Sequence, residues 1–154
     1  MIELAFKALS PALVEDARYA AAGAAAGSIE QPADDDLYPV RCCLTRVPGT
    51  EGVLLLSVRP PSCRSPYAAP GPVYLHKHAC EGYEPTGDVP EMLRGGTLSL
   101  RGYDDRHMIT GTAVLPADRL EGTARDMLAD TATAYLFVHF AGPGCYACRI
   151  ERAA

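Results

Sequence analysis

The chain has 154 residues, 48% of them hydrophobic and 21% charged, and carries a net charge of −5. That size and balance describe a single domain over 1–154 with enough apolar residues to form a core. The acidic charge, without any cluster of Lys or Arg, argues against nucleic-acid binding, which needs a basic patch or stripe.

Residues 2–9 alternate in part and are predicted as a strand. Ser10-Pro11 is a helix start, with Ser as N-cap and Pro at the first helical position, and the helix runs to about Ala22. The N-terminal segment carries Glu3, Glu15 and Asp16 and has no basic region leading into an apolar run, so no signal peptide is expected. The Ala/Gly tract at 20–27 is too short to span a bilayer. Together with QPADDD at 31–36 it reads as loop. A cytoplasmic protein without a membrane partner is expected, its six cysteines free thiols. The excess of Arg over Lys and the abundance of Ala suggest a high-GC bacterial genome.

A strand near 38–46 is broken by Pro48-Gly49 and Gly52. The run VLLLSV at 53–58 lacks alternation, which predicts a strand buried on both faces. Residues 60–72 are rich in Pro, Ser and Gly and read as an ordered surface loop, a frequent carrier of function. A strand at 73–78 follows, then an irregular stretch over 79–96 with one helical turn near 90–94. A strand at 97–103 turns at Asp104-Asp105-Arg106 into a partner at 107–115. Pro116 and Asp118 open a helix lasting to about Ala129. A strand at 134–140, a Gly142-Pro143-Gly144 turn and a strand at 145–151 complete the chain. The pattern is α+β: one mostly antiparallel sheet or a half-open barrel, with about two helices packed on one side. Residues 1–37 form a strand–helix–loop ahead of a core at 38–154.

Strand side chains alternate faces with period two. At 40–45 this places Val40, Cys42 and Leu44 opposite Arg41, Cys43 and Thr45. At 73–78 Val73 and Leu75 oppose Tyr74, His76 and His78. At 97–103 Leu98, Leu100 and Gly102 oppose Thr97, Ser99, Arg101 and Tyr103. At 135–140 Leu136, Val138 and Phe140 oppose Tyr135, Phe137 and His139. If the four strands are neighbours, their Arg, Cys, His and Tyr side chains form one wall, and the 60–72 loop covers it. The plainer alternative is an antiparallel sheet with one wet face.

Cys145 and Cys148 form a CxxC, but only six residues follow, leaving no room for the helix that a redox motif opens. As half a zinc site the pair needs further ligands from Cys43, His76 or Cys80. The apolar company of Val40 and Leu44 assigns Cys42 to the core. Cys63 lies in the loop and carries no role. Cys43 shares its face with Arg41, which favours a thiolate. Arg41 and Arg101 suit a carboxylate or phosphate by bidentate hydrogen bonding. No GxGxxG, P-loop, HExxH or GxSxG occurs, so nucleotide cofactors and the common hydrolase elbows find no support.

RCCL at 41–44, LLLS at 54–57, SPY at 65–67, GPVYLH at 71–76 with Cys80, RGYD at 101–104 and VHFAGPGCY at 138–146 resemble, in order and spacing, the DUF1203 family of small bacterial proteins without an assigned function. The matching positions are Arg41, Cys43, His76, Cys80, Arg101, Tyr103, Asp104 and Cys145. The resemblance covers the chain after about residue 38. It implies a shared fold and supplies no reaction.

Two functions remain open as expectations. One is a small cofactor-independent enzyme of a bacterial biosynthetic pathway, acting on an anionic small molecule. Arg41 and Arg101 would hold the anion, with Tyr67, Tyr74 and His139 lining the site. His76, with Tyr103 and Asp104, would carry the acid–base work, and Cys43 would be the nucleophile. The other is a non-catalytic ligand-binding or structural zinc protein, the metal held by Cys43, His76, Cys80 and Cys145.

Overall fold

A computed structural model describes residues 1–23, 27–60 and 63–154. Parts of two expected loops, 24–26 and 61–62, lie outside the described residues. The first sheet contains β1 (Leu4–Lys7), β7 (Thr97–Tyr103), β8 (Ile109–Pro116), β9 (Tyr135–Phe140) and β10 (Tyr146–Arg152), in the order β1-β10-β9-β7-β8 and wholly antiparallel. The second contains β2 (Ser28–Glu30), β3 (Leu37–Val40), β4 (Thr45–Pro48), β5 (Val53–Val58) and β6 (Gly71–His76), in the order β2-β5-β6-β3-β4. Its pairs are antiparallel except β3 with β6, which run parallel with Val40 opposite Tyr74.

The helices are α1 (Pro11–Ala22) and α2 (Leu120–Ala129). Ser10 caps α1 by accepting from the Leu13 N–H at 3.2 Å, and Pro11 occupies the first turn, where its missing N–H costs nothing. The fold is α+β, and neither sheet closes into a barrel among the described residues. The strands expected in one sheet are divided between two. The helices expected on one side pack separately, α2 against the first sheet and α1 against β5 of the second.

The first sheet has a core on each face. On one, Leu98, Leu100, Leu136, Val138 and Ile150 pack with Leu120, Ala124 and Leu128 of α2. On the other, Tyr103, Tyr135, Phe137 and Tyr146 pack with Leu56, Val58, Val73 and Leu75 of the second sheet. The expected polar face of β9 is therefore interior, and Tyr135, Phe137 and His139 are all buried. Aromatic rings fill this layer. Tyr103 stacks on Tyr135 at 5.3 Å, and Phe137 meets Tyr146 edge-on at 5.1 Å. Such pairs add about 0.5–1.5 kcal/mol beyond the area they bury.

Several local expectations change. The strand near 38–46 is two strands, β3 and β4, separated by a turn at 41–44. Residues 28–30, between the two tracts expected as loop, pair with β5. β5 is not buried throughout, since Ser57 is exposed and Leu54 and Leu55 are half-buried. His78 lies beyond the end of β6 and is exposed. Cys63, given no role as a loop residue, is buried in the inter-sheet core.

Leu100→Ala, at a fully buried position between β8 and β9, should cost about 2–5 kcal/mol in urea unfolding, whereas Val114→Thr on the exposed face of β8 should stay within about 0.5 kcal/mol.

Candidate metal centre

The turn at 41–44 sets the geometry of the site. Its ends close through a 3.1 Å hydrogen bond from the Leu44 N–H to the Val40 carbonyl. Leu44 closes it with φ of 56°, in the left-handed region that a leucine rarely occupies. Its side chain is buried in the α2-side core, and that burial offsets the strain. Two more backbone bonds anchor the turn. The Arg41 N–H donates to the Tyr74 carbonyl at 2.9 Å, and the Leu9 N–H donates to the Arg41 carbonyl at 3.2 Å.

On an extended strand Cys42 and Cys43 would face opposite ways. On this turn both approach one imidazole. Cys42 Sγ is 3.5 Å and Cys43 Sγ 3.9 Å from His76 Nδ1. Cys80 completes the group, and the ligand atoms of Cys42, Cys43, His76 and Cys80 all lie within 4.8 Å of one another. The sulfurs of a tetrahedral zinc site, with Zn–S near 2.3 Å, sit about 3.8 Å apart, so only a small contraction is needed.

The other imidazole nitrogen is held as well. His76 Nε2 lies 3.3 Å from Glu51 Oε2. Glu51 ends a short 3-10 turn, Gly49–Glu51, that depends on the glycine at its start. Any Cβ at Gly49 would collide with the Pro32 carbonyl, and Gly52 turns with φ of 80° against Lys77 and His78. Arg18 of α1 ties down the chain beyond His76, donating to the His76 carbonyl at 2.6 and 2.9 Å and to the His78 carbonyl at 2.7 Å. Cys42 and Cys80 also border a cavity of 360 Å³ lined by Leu9, Val14, Arg18 and Tyr83, a path by which an ion can arrive.

The thiols differ in acidity. Its hydrogen bond to Cys43, reinforced by burial, pushes the Cys42 thiol up to about 12. The same bond lowers Cys43. Burial raises Cys80. Cys43 is thus the member of the trio most readily ionised, with Cys42 as its donor.

The other expected site residues lie elsewhere. Cys145 is not in the cluster and instead accepts from Arg41 Nη2 at 3.2 Å. Tyr103 is a fully buried core residue whose hydroxyl has no partner. Asp104 caps the β7–β8 hairpin, accepting from the Arg106 and Met108 N–H groups at 2.9 Å each, and the Met108 bond chiefly holds its carboxyl below the usual range. Neither is hydrogen-bonded to His76. Arg101 sits on β7 of the first sheet opposite Phe137, whereas Arg41 lies in the turn between two strands of the second. Tyr67 packs edge-on against Tyr103 at 6.2 Å, so the loop around it covers the aromatic layer. Tyr74 meets Tyr38 at 5.2 Å and lies under the Arg41 guanidinium. His139 is buried, with Nδ1 donating to the Gly144 carbonyl at 3.1 Å and Nε2 without a partner. Cys148 is wholly buried, and burial raises its thiol.

Cys42 belongs to the cluster and Glu51 backs its histidine, and neither is among the residues expected there. Nothing in Arg-Cys-Cys-Leu announces a turn, since it holds no Gly, Pro, Asn or Asp. Glu51 reaches His76 across 25 positions, and no spacing rule covers such a pair.

Residues 37–152 match a family model described as a protein of unknown function, DUF1203. That is most of the chain, and the protein belongs to this family. Neither the curated proteins nor the solved structures returned a match. No helix among the described residues is long and apolar enough to cross a membrane.

Burial, followed by the charge of Arg101, pushes His139 down to about 4. The unfolded chain binds that proton near 6.5, so the folded state loses stability as pH falls from 6.5 toward 4 and keeps it above 6.5. In urea unfolding at pH 7, 6, 5 and 4.5, the stability of the native protein relative to His139→Phe should fall by up to about 1.4 kcal/mol per pH unit in that window. A difference that does not change with pH would refute this account.

Proposed function

We propose that this protein is a metal-binding protein whose site takes zinc, or another thiolate-preferring divalent ion, on Cys42, Cys43, His76 and Cys80. The observation that carries the reading is the convergence of three thiols and one imidazole within 4.8 Å. Soft sulfur donors select zinc over hard cations such as calcium or magnesium. Four protein ligands fill a tetrahedron and leave no open position, which suits a structural role. Glu51 supports this assignment, because a carboxylate on the far nitrogen fixes the tautomer and orientation of a ligating histidine. The ion would staple the 41–44 turn to the end of β6 and to the segment that follows it. Free thiols of this kind suit a reducing compartment such as the cytoplasm.

Purified protein should hold one equivalent of zinc by elemental analysis. Cys42→Ser and Cys80→Ser should each abolish stoichiometric binding, while Cys145→Ser should leave it intact. Glu51→Gln should weaken affinity by about 10–100-fold in chelator competition. Full retention of zinc by Cys42→Ser would refute the ligand set.

A second reading has its own support. Cys43, His76 and Glu51 follow one another as a thiol, a base and an orienting carboxylate, the arrangement of a thiol nucleophile. In this reading the protein is a cofactor-independent enzyme acting on an anionic small molecule in bacterial biosynthesis. Iodoacetamide should then label Cys43 faster than the other cysteines in metal-depleted, folded protein, and His76→Ala should slow that labelling by about 10²–10⁴-fold, the usual worth of a general base. Labelling of Cys43 at the rate of a free thiol, unchanged in His76→Ala, would sink it.

A further inference from the structure

The 41–44 turn sends one side chain away from the thiols. Arg41 is fully buried, and its guanidinium keeps its charge in any protein environment. Nε donates to the Tyr146 carbonyl at 2.8 Å, Nη1 to the Pro39 carbonyl and Nη2 to Cys145 Sγ. These are neutral acceptors or a thiol. Among the described residues no carboxylate forms an ion pair with Arg41. A guanidinium has five N–H groups, so each terminal nitrogen keeps one without a partner among the described residues. A buried charge left without a counter-ion costs several kcal/mol.

Arg41 lines a cavity of 410 Å³. Arg46 lines it too, and no acidic side chain does. The remaining walls are mainly apolar, with Leu55, Tyr74 and Phe140 prominent. The Arg41 guanidinium carbon lies 5.1 Å from the Phe140 ring centre and 6.0 Å from that of Tyr74. One buried cation, a second cation on the same cavity and mainly apolar walls define a complementary ligand: an anionic head on an apolar body.

We propose that this cavity binds a small carboxylate with an apolar body, its head paired with Arg46 in the field of the buried Arg41 charge and its body against Leu55, Tyr74 and Phe140. Arg101, expected to share the anion with Arg41, is replaced in that role by Arg46. The site shares no residue with the thiol cluster, so its binding is measured separately from that of the metal.

Octanoate and octanamide have nearly the same shape and differ in charge, which makes them the probes. Each is titrated by calorimetry into the full chain as purified. Octanoate should bind with Kd below about 1 mM, and octanamide at least about tenfold more weakly. Arg46→Met should weaken octanoate by about tenfold, and Leu55→Trp, which fills the cavity from a half-buried strand position, should abolish binding. Both variants are checked for native circular dichroism and melting temperature. Equal affinity for the two probes, undiminished binding in Leu55→Trp, or no octanoate binding up to about 10 mM would each overturn the proposal.

Discussion

Everything of chemical interest in this molecule depends on the turn at 41–44. A continuous strand through those residues would put Cys42 and Cys43 on opposite faces of the sheet. The turn instead carries both toward His76 and directs Arg41 to Phe140 and Cys145. Its conformation is not locally favourable, because Leu44 occupies the left-handed region. It is enforced from three directions: the parallel neighbour β6 through Tyr74, the N-terminal segment through Leu9, and the α2-side core that buries Leu44. Tertiary structure pays for local strain here, and the strained residue directly follows Cys43.

Such enforcement needs a rigid support, and the first sheet supplies it. β9 is buried on both faces, so β9 and its neighbours β7 and β10 join the two cores. Arg41 spans the gap between sheets, reaching from the end of β3 to the Tyr146 carbonyl at the start of β10. The guanidinium is therefore a structural tie as well as a charge facing a cavity. A lysine could not replace it, because a point ammonium cannot donate in three directions from one plane.

Much of the fold was legible in the sequence. Ser10-Pro11 marked the start of α1, and the β7–β8 hairpin, α2, β9 and β10 follow from periodicity and turn residues. What escaped was non-local. Alternation in β9 correctly separates Leu136 and Val138 from Tyr135, Phe137 and His139, but period two cannot say whether the second face meets water or another sheet. Here it meets another sheet, and Tyr, Phe and a neutral His are residues that tolerate either setting. The candidate site was half legible. His76 followed from the alternation of the 73–78 strand, Cys80 from the block GPVYLH with Cys80, and Cys43 from its place beside Arg41. Cys42 was hidden because the core imposes a turn where alternation predicts a strand, and Cys145 falls outside the cluster, beside the Arg41 guanidinium.

The two sites are consecutive in the chain: Arg41 faces one and Cys42 and Cys43 face the other. A guanidinium can hold an anion tightly only if its own position is already fixed, since ordering it on binding would cost free energy. The backbone that fixes Arg41 is the same turn that presents the thiols. An ion held by Cys42 and Cys43 would restrain that turn at its centre and hold Arg41 in place through one peptide bond. Loss of the ion would leave the restraint to the strained Leu44 and two anchoring hydrogen bonds. The adjacency of RCC in the chain thus gives the two proposed sites a shared support rather than a shared ligand. Any coupling through that support would be reciprocal, so an anion drawn to Arg41 would tighten the metal by the same factor that the metal tightens the anion.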